Sequence, residues 1–265
     1  MTTVLEQEPK TARAVQGSDG TLRFDFSSWK TLAPPRAPAY ETPYPVSGFE
    51  RLLACGMLAL LAPFFLAVAA AIKLDSPGGP VFYRQERVGL DRRRDGGRPA
   101  GNGGRRAGYG GPERRAARGY GQVFHIYKFR TMVPDAEKLT GPVWARKRDA
   151  RVTRLGGVLR KLRIDELPQL INVVRGEMRL IGPRPERPHF VERLAREIPE
   201  YPGRHRVPPG ITGLAQIERE YDASVSDVER KVKYDLYYVR HRSSILDIKI
   251  VLKTIDVALR GRGAH

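Results

Sequence analysis

The sequence predicts an α+β protein, mostly helical with a small antiparallel β-hairpin, associated with a membrane through a hydrophobic segment near its N-terminus. Three observations carry that prediction. Residues 52–72, LLACGMLALLAPFFLAVAAAI, hold no charge and have about the length of a bilayer-spanning helix. Residues 80–88, PVFYRQERV, and 122–132, QVFHIYKFRTM, alternate in strand fashion and are rich in β-branched and aromatic residues, so they pair as a hairpin. Elsewhere the periodicity is helical: Leu167, Leu170, Ile171 and Val174 recur at helix spacing, and 189–199, 226–241 and 244–260 read as further helices.

The chain has 265 residues, enough for one full domain with additions. Its single cysteine, Cys55, excludes a disulfide framework and fits a reducing compartment. A net charge of +18 calls for an acidic partner: nucleic acid, anionic lipid or a phosphorylated substrate.

Residues 1–47 mix charges of both signs with few apolar clusters, and five prolines crowd their end from Pro34 to Pro45, so they read as a disordered tail. The apolar run that follows, within a segment 48–74, begins too far into the chain for a signal peptide. It crosses the membrane once, enters and returns, or forms a buried core helix. Pro63 near its middle removes a hydrogen bond and offers a bend, which by itself does not choose between crossing and returning. The C-terminal flank, with Lys73, Arg84, Arg87 and Arg92–Arg94, is basic and belongs on the cytoplasmic side. Residues 75–265 then lie on the cytoplasmic side as one domain.

Between the two strands lies a Gly- and Arg-rich stretch, about 93–120, that cannot bury a core and reads as an insertion. Its composition resembles RNA-binding tails. The preferred reading is a cationic loop on anionic headgroups, each basic residue contributing about 1 kcal/mol near the surface, and no nucleic acid is expected as a partner. Residues 134–151 form a polar connection.

The richest chemistry lies in residues 154–187, RLGGVLRKLRIDELPQLINVVRGEMRLIGPRPERP. Two adjacent carboxylates, Asp165 and Glu166, stand between a basic segment containing Arg154, Arg160, Lys161 and Arg163 and a helix-forming one. Asp165 takes the place of an N-cap, with Pro168 tolerated in the first turn. A helix N-terminus favours anions, which would keep Asp165 ionised beside a bound phosphate. The stretch ends in Gly182-Pro183-Arg184-Pro185, a stiff turn that aims one guanidinium in a fixed direction.

RKLRIDELPQLINVVRGEMRLIGPRP resembles the signature of the bacterial sugar transferases, monotopic polyprenyl-phosphate phosphoglycosyl transferases of the small single-domain type. IKLDSPGGPVFYRQERVG, IYKFRTM, VPPGITGLAQ and YDLYYV continue the likeness over nearly all of residues 49–263, the insertion excepted. The resemblance implies that Asp165 is the catalytic nucleophile and Glu166 its partner, with both also binding magnesium. It implies that Lys128, Arg130, Arg160 and Arg184 bind substrate phosphate and that Pro183 and Pro185 shape a substrate loop. The implied reaction moves a sugar-1-phosphate from a UDP-sugar donor to a polyprenyl phosphate acceptor, a phosphotransferase of the EC 2.7.8 type, at the cytoplasmic face of the bacterial inner membrane. The apolar segment is then a re-entrant helix-break-helix, bent here at Ala62-Pro63 where the family has Ser-Pro. Pro208 and Ile217-Glu218-Arg219-Glu220 also depart from the family's pattern, where sugar selectivity is set. Asp235, Tyr237, Tyr238 and Asp247 are read as structural. The alternatives in other classes are a membrane-anchored nucleic-acid-binding protein and a non-catalytic scaffold.

Overall fold

The computed structural model of the protein describes residues 13–16, 22–25, 46–91, 119–136, 149–218 and 225–259. The chain divides into two compact units, Met1–Glu41 and Thr42–His265. In the first, β1 (Arg13–Gln16) and β2 (Leu22–Asp25) pair antiparallel, Arg13 opposite Asp25 and Ala14 opposite Phe24. Arg13 and Asp25 set opposite charges at matching positions, Ala14 and Phe24 set apolar residues there, and the sequence Gly17-Ser18-Asp19-Gly20 has turn composition.

The second unit begins with α1, Gly48–Asp75, opened by a capping box: Glu50 N–H donates to Ser47 Oγ at 3.1 Å, and Ser47 N–H donates to Glu50 Oε2 at 3.3 Å. Its 28 residues span about 42 Å at 1.5 Å per residue. Pro63 stands inside this one helix, so the helix-break-helix expected at Ala62-Pro63 is corrected to a continuous helix. Proline removes a single intrahelical donor, and the apolar residues on either side have no polar alternative to helical hydrogen bonds.

The same unit holds α1 at both ends. At the start, Arg179 Nε donates to both Glu50 carboxylate oxygens at 3.0 Å, and Arg51 Nε donates to the Val174 carbonyl at 2.8 Å. At the end, Lys73 Nζ donates to the Gly79 carbonyl at 2.9 Å, and Arg130 Nη2 donates to the Ser76 carbonyl. Between them Ala54 is buried with Phe124, Ile126, Leu170, Val173 and Met178, while Val68 and Ile72 are buried with Phe129 and Leu159. The opposite side leaves Phe49, Leu52, Leu60, Leu66 and Leu74 exposed.

The expected hairpin is present: β3 (Phe82–Val88) pairs antiparallel with β4 (Val123–Phe129), Tyr83 opposite Lys128 and Arg87 opposite Phe124. Beyond the strands Gly89 N–H donates to the Gln122 carbonyl at 2.8 Å, and Gln122 N–H to the Leu90 carbonyl at 3.0 Å. The Gly/Arg-rich segment therefore leaves and rejoins the hairpin at neighbouring points; most of it, 92–118, lies outside the described residues, as does 137–148 of the polar connection.

Next come α2 (Arg154–Lys161), a 3₁₀ helix Ile164–Gln169, α3 (Leu170–Arg175) and β5 (Arg179–Ile181). Then follow α4 (Pro188–Glu197), a second 3₁₀ helix Tyr201–Arg206, β6 (Gly210–Thr212), α5 (Leu214–Glu218), α6 (Val225–His241) and α7 (Ser244–Leu259). β5 and β6 pair in parallel, Arg179 opposite Gly210 and Ile181 opposite Thr212. A Cβ added at Gly210 would lie 2.0 Å from Gly182 N, and one at Gly213 would lie 2.1 Å from the Gly182 carbonyl oxygen. The glycines of GITG thus allow the two backbones to touch. A separate core joins α4, the second 3₁₀ helix and α6 through Phe190, Val191, Leu194, Tyr201, Val232 and Leu236. Tyr238 O–H donates to Asp247 Oδ1 at 2.8 Å, joining α6 to α7, as expected of structural residues. Arg179 Nη2 lies 3.7 Å from Asp247 Oδ2, so one guanidinium connects α1, β5 and α7.

Candidate active site

The 3₁₀ helix that carries the dyad starts after Arg163, whose φ of 55° places a non-glycine residue in the left-handed region. That residue turns the chain sharply out of α2. Asp165 and Glu166 are the second and third residues of the 3₁₀ helix, which corrects the N-cap position expected for Asp165. Glu166 N–H also donates to the Arg163 carbonyl at 3.3 Å, so it is not free to meet an anion. Asn172 on α3 fastens this segment to β4. Its Oδ1 accepts from Tyr127 N–H at 3.1 Å, and its Nδ2 donates to the His125 carbonyl at 2.7 Å. The next residue along β4, Lys128, is thereby set against the dyad.

Glu166 is the hub. Lys128 Nζ lies 2.8 Å from its Oε1, Arg184 reaches the same carboxylate with Nη2 at 2.5 Å and Nη1 at 3.2 Å, and Arg163 Nη1 lies 3.9 Å away. Burial alone would raise its pKa, but Arg184 and Lys128 outweigh it and hold the carboxyl well below the usual range. Asp165 is also buried, with 8% of its surface exposed, yet among the described residues it accepts no hydrogen bond and forms no close ion pair. Burial pushes its pKa up; Lys128, Arg160 and Arg184 oppose this, and the neighbouring Glu166 charge adds to it. The direction is opposite to the ionising effect expected of a helix N-terminus. The two adjacent carboxylates thus differ in kind: Glu166 is neutralised by cations, while Asp165 is poorly solvated and open.

The turn that carries Arg184 is fixed through its backbone. Gly182 N–H donates to the Thr212 carbonyl at 2.9 Å, and Gly210 N–H donates to the Pro183 carbonyl at 3.0 Å. Arg204 Nη2 donates to the Arg184 carbonyl at 2.8 Å, and Arg87 Nη1 to the Pro185 carbonyl at 3.0 Å. Pro183 and Pro185 thus contribute fixed φ angles and held carbonyls. Glu166 raises the pKa of Arg184, with burial opposing.

Of the predicted residues, the fold brings together Asp165, Glu166, Lys128, Arg184 and Arg160. The last is oriented by Thr131, whose Oγ1 accepts from Arg160 Nε at 2.9 Å. Arg130 does not join them. It is buried with its guanidinium against Gly79 and Ser76, at the C-terminal end of α1. Its N–H donates to the Val81 carbonyl at 2.8 Å, one residue beyond the end of β4. Sequence reasoning missed Arg87 and Arg204 as supports of the turn. β3 is FYRQERV, so Arg87 is one of four consecutive polar residues and nothing local singled it out, nor Arg204.

Asp165 and Glu166 are the carboxylates of the site that could hold a magnesium ion. Magnesium takes one or two carboxylates and draws its remaining ligands from water and substrate phosphates. Asp165 offers open oxygens, and those of Glu166 are shared with Lys128 and Arg184. Among the described residues no group of three or more His, Cys, Asp or Glu side chains forms a cage that would hold a metal without substrate.

The bacterial sugar transferase pattern matches residues 46–94 and 112–261, and the chain belongs to that family. The unmatched residues 95–111 fall within the Gly/Arg-rich segment read as an insertion. The chain is 43% identical over 218 residues to a UDP-N-acetylgalactosamine-undecaprenyl-phosphate N-acetylgalactosaminephosphotransferase of Aeromonas hydrophila, covering 82% of this chain and 44% of that protein. It is 37% identical over 242 residues to a UDP-glucose:undecaprenyl-phosphate glucose-1-phosphate transferase of Escherichia coli, covering 87% of this chain and 45% of that one. It is 34% identical over 224 residues to an exopolysaccharide production protein of Rhizobium leguminosarum, covering 81% of this chain and 96% of that protein. The chain therefore spans less than half the length of the first two relatives and nearly all of the third.

Proposed function

We propose that the protein transfers a sugar-1-phosphate from a UDP-sugar to a polyprenyl phosphate through a covalent aspartyl-phosphosugar. The observation that carries the proposal is the contrast within the dyad: an open, poorly solvated Asp165 beside a Glu166 already held by Lys128 and Arg184. A desolvated carboxylate is more basic and more nucleophilic than a hydrated one. In the first step an Asp165 oxygen bonds to the sugar-bearing phosphorus, and the diphosphate P–O bond breaks with its electron pair leaving on UMP. In the second, an acceptor phosphate oxygen bonds to the same phosphorus and the acyl–phosphate bond breaks, restoring Asp165 and releasing polyprenyl-diphosphate-sugar. Arg184, Lys128 and Arg160 hold the phosphoryl oxygens and spread the charge that gathers there. Glu166 keeps Lys128 and Arg184 in place before substrate arrives. Magnesium bound by Asp165, Glu166 and the diphosphate would supply further positive charge there. The relatives' names support undecaprenyl phosphate as acceptor and UDP-glucose or UDP-N-acetylgalactosamine as donor.

The acceptor is a lipid, and the surface suits one. α1 holds contact with a single unit from Glu50 to Ser76 and turns its apolar side outward. A helix gripped along its length in this way supports immersion in one leaflet with both chain ends on the cytoplasmic side. On α7, Ile245, Ile248, Leu252 and Ile255 are exposed at helical spacing, a stripe suited to lying along headgroups. We place the protein at the cytoplasmic face of the bacterial inner membrane, with anionic lipid beneath its basic surface.

The test is a burst experiment with detergent-purified full chain, magnesium and either UDP-glucose or UDP-N-acetylgalactosamine, without acceptor. UMP should form in one burst per active enzyme, and Asp165→Asn should abolish it. A full burst from Asp165→Asn would mean that another group attacks phosphorus.

A further inference from the structure

Arg184 lies between two prolines; Pro183 and Pro185 fix their own φ, and Pro185 also narrows the backbone of Arg184 toward extended values. Its φ and ψ decide where the guanidinium points. Each of the peptide planes flanking its Cα is pinned through a carbonyl. The Pro183 carbonyl accepts from the backbone N–H of Gly210 at 3.0 Å, and the Arg184 carbonyl accepts from Arg204 Nη2 at 2.8 Å. The second pin sets ψ of Arg184, and it is the one made by a side chain. That side chain comes from the second 3₁₀ helix, across a different core from the one beneath the dyad.

Arg204 is itself over-determined. It is buried, its Nη2 lies 2.7 Å from Asp235 Oδ2 on α6, its Nη1 donates to Tyr201 O–H oxygen at 2.8 Å, and its guanidinium sits 5.0 Å from the Tyr201 ring centroid. Asp235 is 2% exposed, so the pair exchanges no partner with water. Such a pair is weak evidence of stabilisation, since burying both charges costs about what their attraction returns. What the pair does supply is direction: a planar fork with three acceptors at fixed angles.

We propose that Arg204, held by Asp235, is a positioning residue for the transfer reaction: by holding the Arg184 carbonyl it sets the direction in which the Arg184 guanidinium meets Glu166 and the donor phosphate. This rests on the reading that Arg184 contacts the donor phosphate. Lysine at position 204 keeps the charge for Asp235 but cannot reach all three acceptors from one ammonium.

The experiment is a double-mutant cycle on the full chain, with the UDP-sugar that gives the burst above. Burst amplitude counts active enzyme, and donor kcat/KM is read per active site. Arg204→Lys should keep the amplitude and lower kcat/KM by about 10- to 100-fold, the scale of an ångström-level misplacement. In an Arg184→Ala background the same substitution should change kcat/KM by less than about twofold, because the residue it acts through is gone. Tyr201→Phe, which removes a different partner of Arg204, should leave kcat/KM near the parent's. Equal losses from Arg204→Lys in both backgrounds, or a loss from Tyr201→Phe as large as that from Arg204→Lys, would overturn the positioning role while leaving Arg184's own role intact. Full activity in Arg184→Ala alone would sink the phosphate-contact reading, and the positioning role with it.

Discussion

Neutralising each carboxylate of the dyad should move stability in opposite directions. In Glu166→Gln the amide replaces an oxygen that now accepts from Lys128 and Arg184 with an N–H₂ group that repels them. Glu166 is 10% exposed and Lys128 16%, so this breaks a buried ion pair, which costs about 3–5 kcal/mol. Arg184 is 33% exposed, and water takes up part of its lost interaction, so the low end, about 3 kcal/mol, is expected. For a chain of this size that is a fall in Tm of about 6–12 °C. Asp165 behaves differently. Its pKa is raised by burial, so the folded state binds its proton more tightly than the unfolded state does. Its contribution is then favourable at low pH and declines as pH rises through the raised pKa. At neutral pH Asp165→Asn removes that cost, and Tm should stay within about 1–2 °C of the parent or exceed it. Differential scanning calorimetry on both variants in one detergent at pH 7.5, without donor or magnesium, makes the comparison. A fall in Asp165→Asn as deep as in Glu166→Gln would refute the division of the dyad into an open carboxylate and a held one.

Other outcomes follow from features outside the dyad. Gly210→Ala puts a Cβ 2.0 Å from Gly182 N and should cost about 3 kcal/mol in urea unfolding, whereas Gly157→Ala on α2 meets nothing within 4 Å and should add about 1 kcal/mol. His205 is buried, and burial together with Arg204 pushes its pKa down to about 3 from 6.5. The unfolded state therefore binds the extra proton first, and stability should fall from pH 6.5 toward 3 by up to about 1.4 kcal/mol per pH unit from this group, a slope that His205→Gln removes in a pH series of urea titrations. Deleting 93–120 should leave the UMP burst intact and weaken sedimentation with phosphatidylglycerol vesicles, because the hairpin closes through Gly89, Leu90 and Gln122; a loss of turnover like that of Asp165→Asn would mean the segment belongs to the site.

The hairpin was legible because Phe124, Ile126 and Lys128 alternate with a period only a strand has, and the dyad because adjacent acids among arginines, before a stiff Pro-Arg-Pro turn, need an explanation. What escaped is non-local. β5 and β6 are three residues each, too short for periodicity, and exist because Gly182, Gly210 and Gly213 allow two backbones to touch. Arg163 in the left-handed region moved Asp165 from the expected cap into a 3₁₀ turn, and nothing in an arginine announces a positive φ. The continuity of α1 through Pro63 reflects how few alternatives an apolar segment offers its backbone.

α1 has a consequence for anyone who would take the protein apart. Glu50 is the counter-ion of Arg179, and Ala54, Val68 and Ile72 line the cores that seat Phe124 and Phe129 of the hairpin strand carrying Lys128. Excising the helix would leave Arg179 with only its longer contact to Asp247 and open both cores. A foreign transmembrane segment grafted in its place would bring hydrophobicity without those contacts. The long apolar helix and the domain that carries the dyad cannot be inherited, exchanged or engineered as independent modules in this chain, because a single stretch of sequence is both the apolar segment and a wall of that domain.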